Sequence, residues 1–294
     1  MNPSGRSRTE AATLRSVAHL LADEAAVFVR RRRAEVFGAG PAGGPDSGTG
    51  AVRAKTTPTD PVTVVDTDTE RLLRDRIAEL RPGDLILGEE GGGPEGTATG
   101  PAGTVTWVLD PIDGTVNFVY GIPAYAVSVG VQVGGRSVAG AVADVVGGRV
   151  YSAALGQGAS VVDANGTHAL RCSAVEDLSM ALLGTGFGYS PARRSAQAAL
   201  LARILPVVRD VRRIGSAALD LCLVAAGRLD AYYEHGLQVW DQAAGALIAA
   251  EAGARVVLPA PGATGAGPVV AASPGISDAL LGVLRDAGGL EPLN

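Results

Sequence analysis

Between Tyr125 and Val133 every second residue is large and apolar. Tyr125, Val127, Val129, Val131 and Val133 alternate with small or polar side chains, and Gly134-Gly135 then turns the chain. Successive side chains of a strand point to opposite faces, so a period of two is the signature of a sheet. Further strands are expected around Ser137–Val146 and Arg149–Ala154, with turns at Gly147-Gly148 and Asn165-Gly166. From Thr104 to about Leu170 the chain reads as an antiparallel meander.

The flanking segments have helical or mixed character. Over residues 7–37, Leu14, Val17, Ala18, Leu21, Ala25 and Phe28 keep helical spacing, and Ser7 with Glu10 fits a capping box. "GAGPAGGPDSGTG" is too rich in Gly and Pro for regular structure and reads as a mobile loop. "DTDTERLLRDRIAEL" is a second helix, starting at Asp66 or Thr67 and stopped by Pro82-Gly83. "LILG" is a short buried strand that delivers Glu89 and Glu90 at its tip. After Leu178, strands and helices alternate. The expected order is "MALLGT", a helix through Ala196–Val208, "RRIG", a helix in Ala217–Ala226, "LDAYYE", a helix from Asp241 to Ala252, "ARVVL", "VVAAS" and a helix from Ser277. There is no internal repeat. Residues 1–177 thus form an α+β part with an antiparallel sheet and residues 178–294 a smaller α/β part, a mixed fold.

Composition narrows the function. The 294 residues can bury a sizeable core, and 47% hydrophobic with 19% charged residues is a globular balance. A net charge of −5 suits neither non-specific nucleic-acid binding nor an anionic membrane, and no apolar run reaches the roughly 18 residues of a membrane span. Glu10, Asp23 and Glu24 interrupt the apolar positions near the N-terminus, so no signal peptide is expected. "RRRR", Arg30 to Arg33, reads as the basic last turn of a helix rather than a nucleic-acid patch. Cys172 and Cys222 lack CxxC spacing, and Cys222 lies in the apolar "LDLCLVAAG" as a buried thiol, which fits a cytoplasmic protein. Three histidines, His19, His168 and His235, do not suggest a His-based zinc site. Carboxylates, hydroxyls and backbone must carry the chemistry.

The carboxylates concentrate in "WVLDPIDGTVNF". An apolar strand ends at Asp110, where Pro111 stops it and forces the preceding residue into extended conformation. Gly114 permits a tight bend, and Thr115 adds a hydroxyl beside two N–H groups suited to a phosphate oxygen. Clustered carboxylates call for a cation, and magnesium is the natural oxygen-liganded choice. Three more segments join this one: "GEEGG" with Glu89, "VWDQAAGALIAAEAGA" with Asp241 at a helix start, and "KTTPTDPVTVVDTDTE" with Lys55 and Asp66. Asp241 alone also reads as an N-cap. Of the 25 Lys and Arg residues, Lys55 is the one lysine. A compact ammonium makes fewer geometric demands than a planar guanidinium, although one lysine can also survive by chance on a loop. Glu90 reads either as an acid supporting the ligands from behind or as a solvated neighbour, with the neighbour favoured. Asp60 and Asp68 read as ordinary loop and first-turn acids, and Trp107 and Trp240 as packing beside the site rather than as stacking platforms for substrate.

Together these segments, from about Lys55 to Gly253, resemble the inositol monophosphatase family of magnesium-dependent, lithium-sensitive phosphatases. The resemblance implies a layered αβαβα sandwich and two or three magnesium ions held by Glu89, Asp110, Asp113, Asp241 and the Ile112 carbonyl. It implies that Asp66 and Thr115 orient and deprotonate the attacking water, with Glu89 and Lys55 also in the catalytic set. Asp113, Gly114 and Thr115 would meet the phosphate, and Gly215, Ala217 and Glu234 the sugar hydroxyls. It implies a small phosphate ester as partner, no membrane or nucleic acid, and a homodimer. "DGTVNF", with Asn117-Phe118, looks like the inositol branch more than the histidinol-phosphate or nucleotide branches, so myo-inositol monophosphate is the expected substrate. Fructose 1,6-bisphosphate, histidinol phosphate, phosphoadenosine nucleotides, a regulatory binding role and a calcium-stabilised structural domain remain alternatives. The "GTGFGYSPARR" segment around Tyr189 departs from animal members at the pocket rim.

Overall fold

The computed structural model describes residues 3–38, 52–55, 61–93, 103–259 and 267–293. The expected mobile loop, apart from its first glycine, and Asp60 lie outside the described residues. The chain opens with α1 (Pro3–Phe37), the short antiparallel pair β1 (Val52–Ala54) and β2 (Pro61–Thr63), and α2 (Val64–Leu80). There follow β3 (Leu85–Gly88), β4 (Val105–Asp113), the short helix α3 (Thr115–Tyr120), β5 (Ala126–Val133), β6 (Arg136–Asp144), β7 (Arg149–Ala154), β8 (Ala159–Asp163) and β9 (Gly166–Ala169). The remaining elements are β10 (Leu182–Thr185), α4 (Pro191–Ile204), β11 (Asp210–Arg212), α5 (Ala217–Ala225), β12 (Ala231–His235), α6 (Val239–Glu251), β13 (Arg255–Val257), β14 (Pro268–Ala272) and α7 (Pro274–Asp286).

Strands β3 to β9 form a seven-stranded sheet in sequence order. Strands β4 to β9 are the expected antiparallel meander, and β3 joins the edge parallel to β4. The second sheet has the order β11-β10-β12-β14-β13 and is mixed. The large residues of β5, Val127, Val129 and Val131, pack with Leu14, Leu21 and Val29 of α1 and Leu73 and Ile77 of α2. The opposite face of this sheet meets Ala218, Cys222, Ala244 and Ile248 of α5 and α6. Those two helices also cover the second sheet through Leu221, Val224, Ala246 and Ala249. Its far face packs on Leu200 and Ile204 of α4 and Ile276, Leu280 and Leu284 of α7. The result is the five-layer αβαβα sandwich.

The small residues of β5 and β6 now have a cause. A Cβ at Gly130 would stand 2.7 Å from Ala243 Cβ, and one at Gly140 would stand 3.0 Å from Ala244 Cβ. Glycine on the strands and alanine on the helix let α6 lie directly on the sheet.

Several boundaries differ from the sequence reading. Helix α1 is already helical at Pro3, so Ser7 lies inside it and the Ser7–Glu10 capping box does not form its start. Proline is well placed in the first turn of a helix, because its missing N–H would be unpaired there anyway. It opens α7 at Pro274 and α4 at Pro191. The "RRRR" run lies one turn before the end of α1, whose last turn has no basic residue. These arginines act as tethers: Arg30 donates to the Val145 carbonyl, Arg32 pairs with Glu35 and Asp68, and Arg33 donates to the Phe118 carbonyl. "RRIG" is not a strand, since β11 ends at Arg212. Cys222 is buried, and both cysteines are free. Among the described residues, no helix is long and apolar enough to cross a membrane.

Candidate active site

Asp110 and Asp113 are three positions apart, a spacing that sends side chains to opposite faces of a regular strand. Strand β4 does not stop at Pro111 but continues to Asp113 through an irregularity. Asp110 pairs with Ser128 and Asp113 with Ala126, so β4 holds one residue more than β5 over this stretch. Proline is tolerated at such a bulge because no ladder bond needs its missing N–H. The extra residue returns Asp113 to the side of Asp110, and both line one cleft. Gly114, at φ 94°, then turns the chain into α3; a side chain there would meet the Ala124 and Gly215 carbonyls at 3.0 Å.

The cleft encloses about 520 Å³. It is lined by Lys55, Glu89, Asp110, Ile112, Asp113, Gly114, Thr115, Gly215, Ala217, Glu234 and Asp241, which are the expected site residues except one. The exception, Asp66, is buried beneath the cleft and reaches it through Thr115, whose Oγ1 lies 3.1 Å from Asp66 Oδ1 and 3.0 Å from the Ile112 carbonyl. Helix α2 starts at Val64 rather than Asp66 or Thr67, because Thr63 caps it and Asp66 closes the capping box from its third position. Asp66 Oδ2 accepts from the Thr63 N–H at 3.0 Å and from Thr63 Oγ1 at 2.5 Å, leaving Oδ1 for Thr115. Asp241 likewise is the third residue of α6, not its cap, and accepts from the Gln238 N–H at 2.6 Å. Lys55 Nζ donates to Glu89 Oε1 at 2.7 Å and Glu90 Oε1 at 2.5 Å.

The electrostatics are dominated by negative charge. Burial first, then the charges of Glu89, Asp113 and Asp241, hold the Asp110 carboxyl well above its ordinary range. Burial pushes Asp113 up to about 6 against the hydrogen bonds it receives from Ser216 and the Ala218 N–H. Asp241 is raised by burial and by Asp113 and Glu89. Burial opposes the charge on Lys55, but Glu89 and Glu90 outweigh it and hold the ammonium above its usual range. As the side chains stand, no three His, Cys, Asp or Glu groups among the described residues enclose an ion. Each carboxylate is instead engaged by local donors. The donor set fits a hard cation all the same, being oxygen only, multiply negative and gathered in one cleft.

Residues 12–287 match the model of the inositol monophosphatase family. The chain belongs to the inositol monophosphatase family. The family is generally metal-dependent, and this chain is a phosphoric monoester hydrolase. It is 74% identical over 284 residues to an inositol-1-monophosphatase of Mycobacterium leprae, spanning 95% of this chain and 96% of the relative. It is 71% identical over 289 residues to the inositol-1-monophosphatase SuhB of Mycobacterium tuberculosis, spanning 98% and 99%. A solved structure of Mycobacterium tuberculosis SuhB superposes with a TM-score of 0.80 at 65% identity, covering 95% of this chain and 98% of that one.

Several contacts that shape this inositol monophosphatase site were not visible in the sequence. Ser216 caps α5 and donates to Asp113 Oδ2 at 2.5 Å. Asn117 donates to the Ala124 and Ile214 carbonyls at 2.7 and 2.9 Å, tying α3 to the Gly215 loop. Glu90 is no solvated neighbour, because it shares Lys55 with Glu89. Of the tryptophans, Trp107 is core packing with its Nε1 donating to Asp84, whereas Trp240 lines the cleft. Tyr232 donates to Glu234 Oε2 at 2.5 Å and so orients that carboxylate in the cleft. A serine before a helix is the signal that could have found Ser216.

Proposed function

We propose that this enzyme hydrolyses myo-inositol monophosphate to inositol and phosphate with magnesium as its metal. The observation that carries the reading is the bulge in β4, which turns Asp110 and Asp113 into the cleft that Glu89 and Asp241 also line. Those four carboxylates and the Ile112 carbonyl would hold two or three magnesium ions. Bound there, such ions would neutralise phosphate charge and acidify the attacking water. Thr115 Oγ1 takes a proton from that water and passes its own to Asp66 Oδ1, 3.1 Å away. Burial pushes Asp66 up to about 7, which gives it useful basicity at neutral pH. The Gly114 and Thr115 N–H groups hold phosphate oxygens, and Lys55 keeps Glu89 and Glu90 in place. As the water oxygen bonds to phosphorus, the ester P–O bond breaks, the leaving inositol oxygen takes a proton from solvent, and the proton held at Asp66 returns to solvent. Glu234 and the backbone at Gly215 and Ala217 receive the ring hydroxyls. Desolvation raises Glu234 to about 7, so its carboxyl can both accept and donate near neutrality.

The test is phosphate release from inositol monophosphate, fructose 1,6-bisphosphate, histidinol phosphate and 3′-phosphoadenosine nucleotides, with and without magnesium. The highest kcat/KM should fall on inositol monophosphate and should vanish when magnesium is chelated. A higher kcat/KM on another ester, or magnesium-independent release, would overturn the assignment.

A further inference from the structure

Helix α2 presents a second buried carboxylate one turn beyond Asp66. The Glu70 side chain is 3% exposed, and both of its oxygens are engaged. Oε2 accepts from the Glu90 N–H at 2.7 Å, and Oε1 accepts from the Gly91 N–H at 2.9 Å and from Arg74 Nε at 2.8 Å. A terminal nitrogen of Arg74 reaches the Gly92 carbonyl at 2.6 Å, which also accepts from the Gly88 N–H at 3.0 Å. Three backbone groups of the "GEEGG" turn, the Glu90 and Gly91 N–H and the Gly92 carbonyl, are therefore tied to one Glu–Arg pair, and the Gly88 N–H shares that carbonyl. The glycines make room for it: a Cβ at Gly88 would fall within the Glu70 carboxylate, and one at Gly91 would stand 2.7 Å from Oε1.

This turn carries Glu89 and Glu90, the two carboxylates that grip Lys55. We propose that Glu70 is a positioning residue. Its carboxylate holds the Glu89–Glu90–Gly91 turn from below, and through that turn it aims Glu89 and Lys55 into the cleft. The charge matters as well as the shape, because a carboxylate offers two strong acceptors to converging N–H groups. A glutamine of the same shape offers one acceptor and sets an NH2 group against the other N–H. The step from Glu89 to metal binding rests on the function proposed above, whereas the hold on the turn does not.

Glu70→Gln in the full-length protein tests both parts. Amide hydrogen exchange, read by NMR without metal or substrate, should quicken at Glu90 and Gly91 by about tenfold, the size expected for losing one charge-assisted hydrogen bond. Amides between β4 and β5 should keep their rates. Calorimetric magnesium affinity should fall several-fold, and half-saturating magnesium should rise more than kcat falls at saturation. Arg74→Lys, which keeps a charge but not the fork, should shift the same readouts in the same direction by less, and serves if the first variant does not fold. Unchanged exchange at Glu90 and Gly91 would overturn the proposal, as would faster exchange with undiminished magnesium affinity. If the parent enzyme hydrolyses none of the esters yet exchange responds as stated, the hold on the turn stands and the functional assignment falls.

Discussion

Replacing Gly130 by alanine tests how closely the active site depends on the packing of α6 against β5. The new methyl would stand 2.7 Å from Ala243 Cβ and 3.3 Å from the Ala244 nitrogen. Ordinary carbon contacts need about 3.5–4.0 Å, so roughly 1 Å of separation must be found. No side chain can rotate away, because alanine has no rotamer and the second contact is backbone. The helix itself must move. Overpacking of this kind costs about 1–3 kcal/mol, partly offset by about 0.4–1 kcal/mol because alanine restricts the unfolded chain. The expected net loss is therefore about 1–2 kcal/mol by urea unfolding.

Asp241 lies two residues before Ala243 on the same helix, so the displacement is transmitted to the cleft. A misplacement near 1 Å can lower turnover by about 100-fold, so kcat/KM should fall more than the stability loss alone accounts for. The double variant Gly130→Ala/Ala243→Gly removes the facing methyl. A helix glycine costs about 1 kcal/mol by itself, yet the pair should be less destabilised than the sum of the singles and should recover activity. Gly130→Ala with stability within about 0.5 kcal/mol of the parent and full activity would refute the argument from close approach.

Asp110→Asn should keep the fold but lose most magnesium-dependent turnover, and retention of more than about a tenth of parent activity at saturating magnesium would count against its place at the metals. Lys55→Arg keeps the charge but places a planar fork where Glu89 and Glu90 now meet a compact ammonium. It should lower turnover and weaken the magnesium response without changing metal-free thermal stability; kinetics identical to the parent across a magnesium titration would make Lys55 an ordinary residue. Lithium, a hard cation with half the charge, should inhibit in a manner that depends on magnesium concentration, and full activity in tens of millimolar lithium would argue against an ordinary inositol-type metal site.

The meander was legible because its signal is local. Val127, Val129 and Val131 repeat every two residues, and glycine pairs mark where the strands turn. The helix starts were less legible, since proline and a distant cap compete with the nearer acidic signals. Thr63 rather than Asp66 begins α2, and Gln238 rather than Asp241 precedes α6. The parallel pairing of β3 with β4 was not legible either. Nothing in "LILG" tells which edge it will join, because parallel partners are brought together by the intervening chain.

The site was legible as a set of residues but not as a geometry. Asp110, Asp113, Glu89 and Asp241 stand out as acids at element ends, yet the spacing of Asp110 and Asp113 would separate them in a regular strand. Only the bulge, unreadable without the register against Ser128 and Ala126, brings them together. Glu70 sits 19 positions before Glu89 and looks like one more polar residue on an amphipathic helix, because its partners are backbone N–H groups that no sequence displays. Gly130 and Gly140 carry no chemistry, but the room they leave fixes α6 on the sheet, and α6 carries Asp241 to the wall where Asp110 waits. A candidate site built from two strands of one sheet and a helix shared by two sheets is therefore sensitive to small residues in the core, and its tolerance to substitution should follow that packing as closely as it follows the acidic motif.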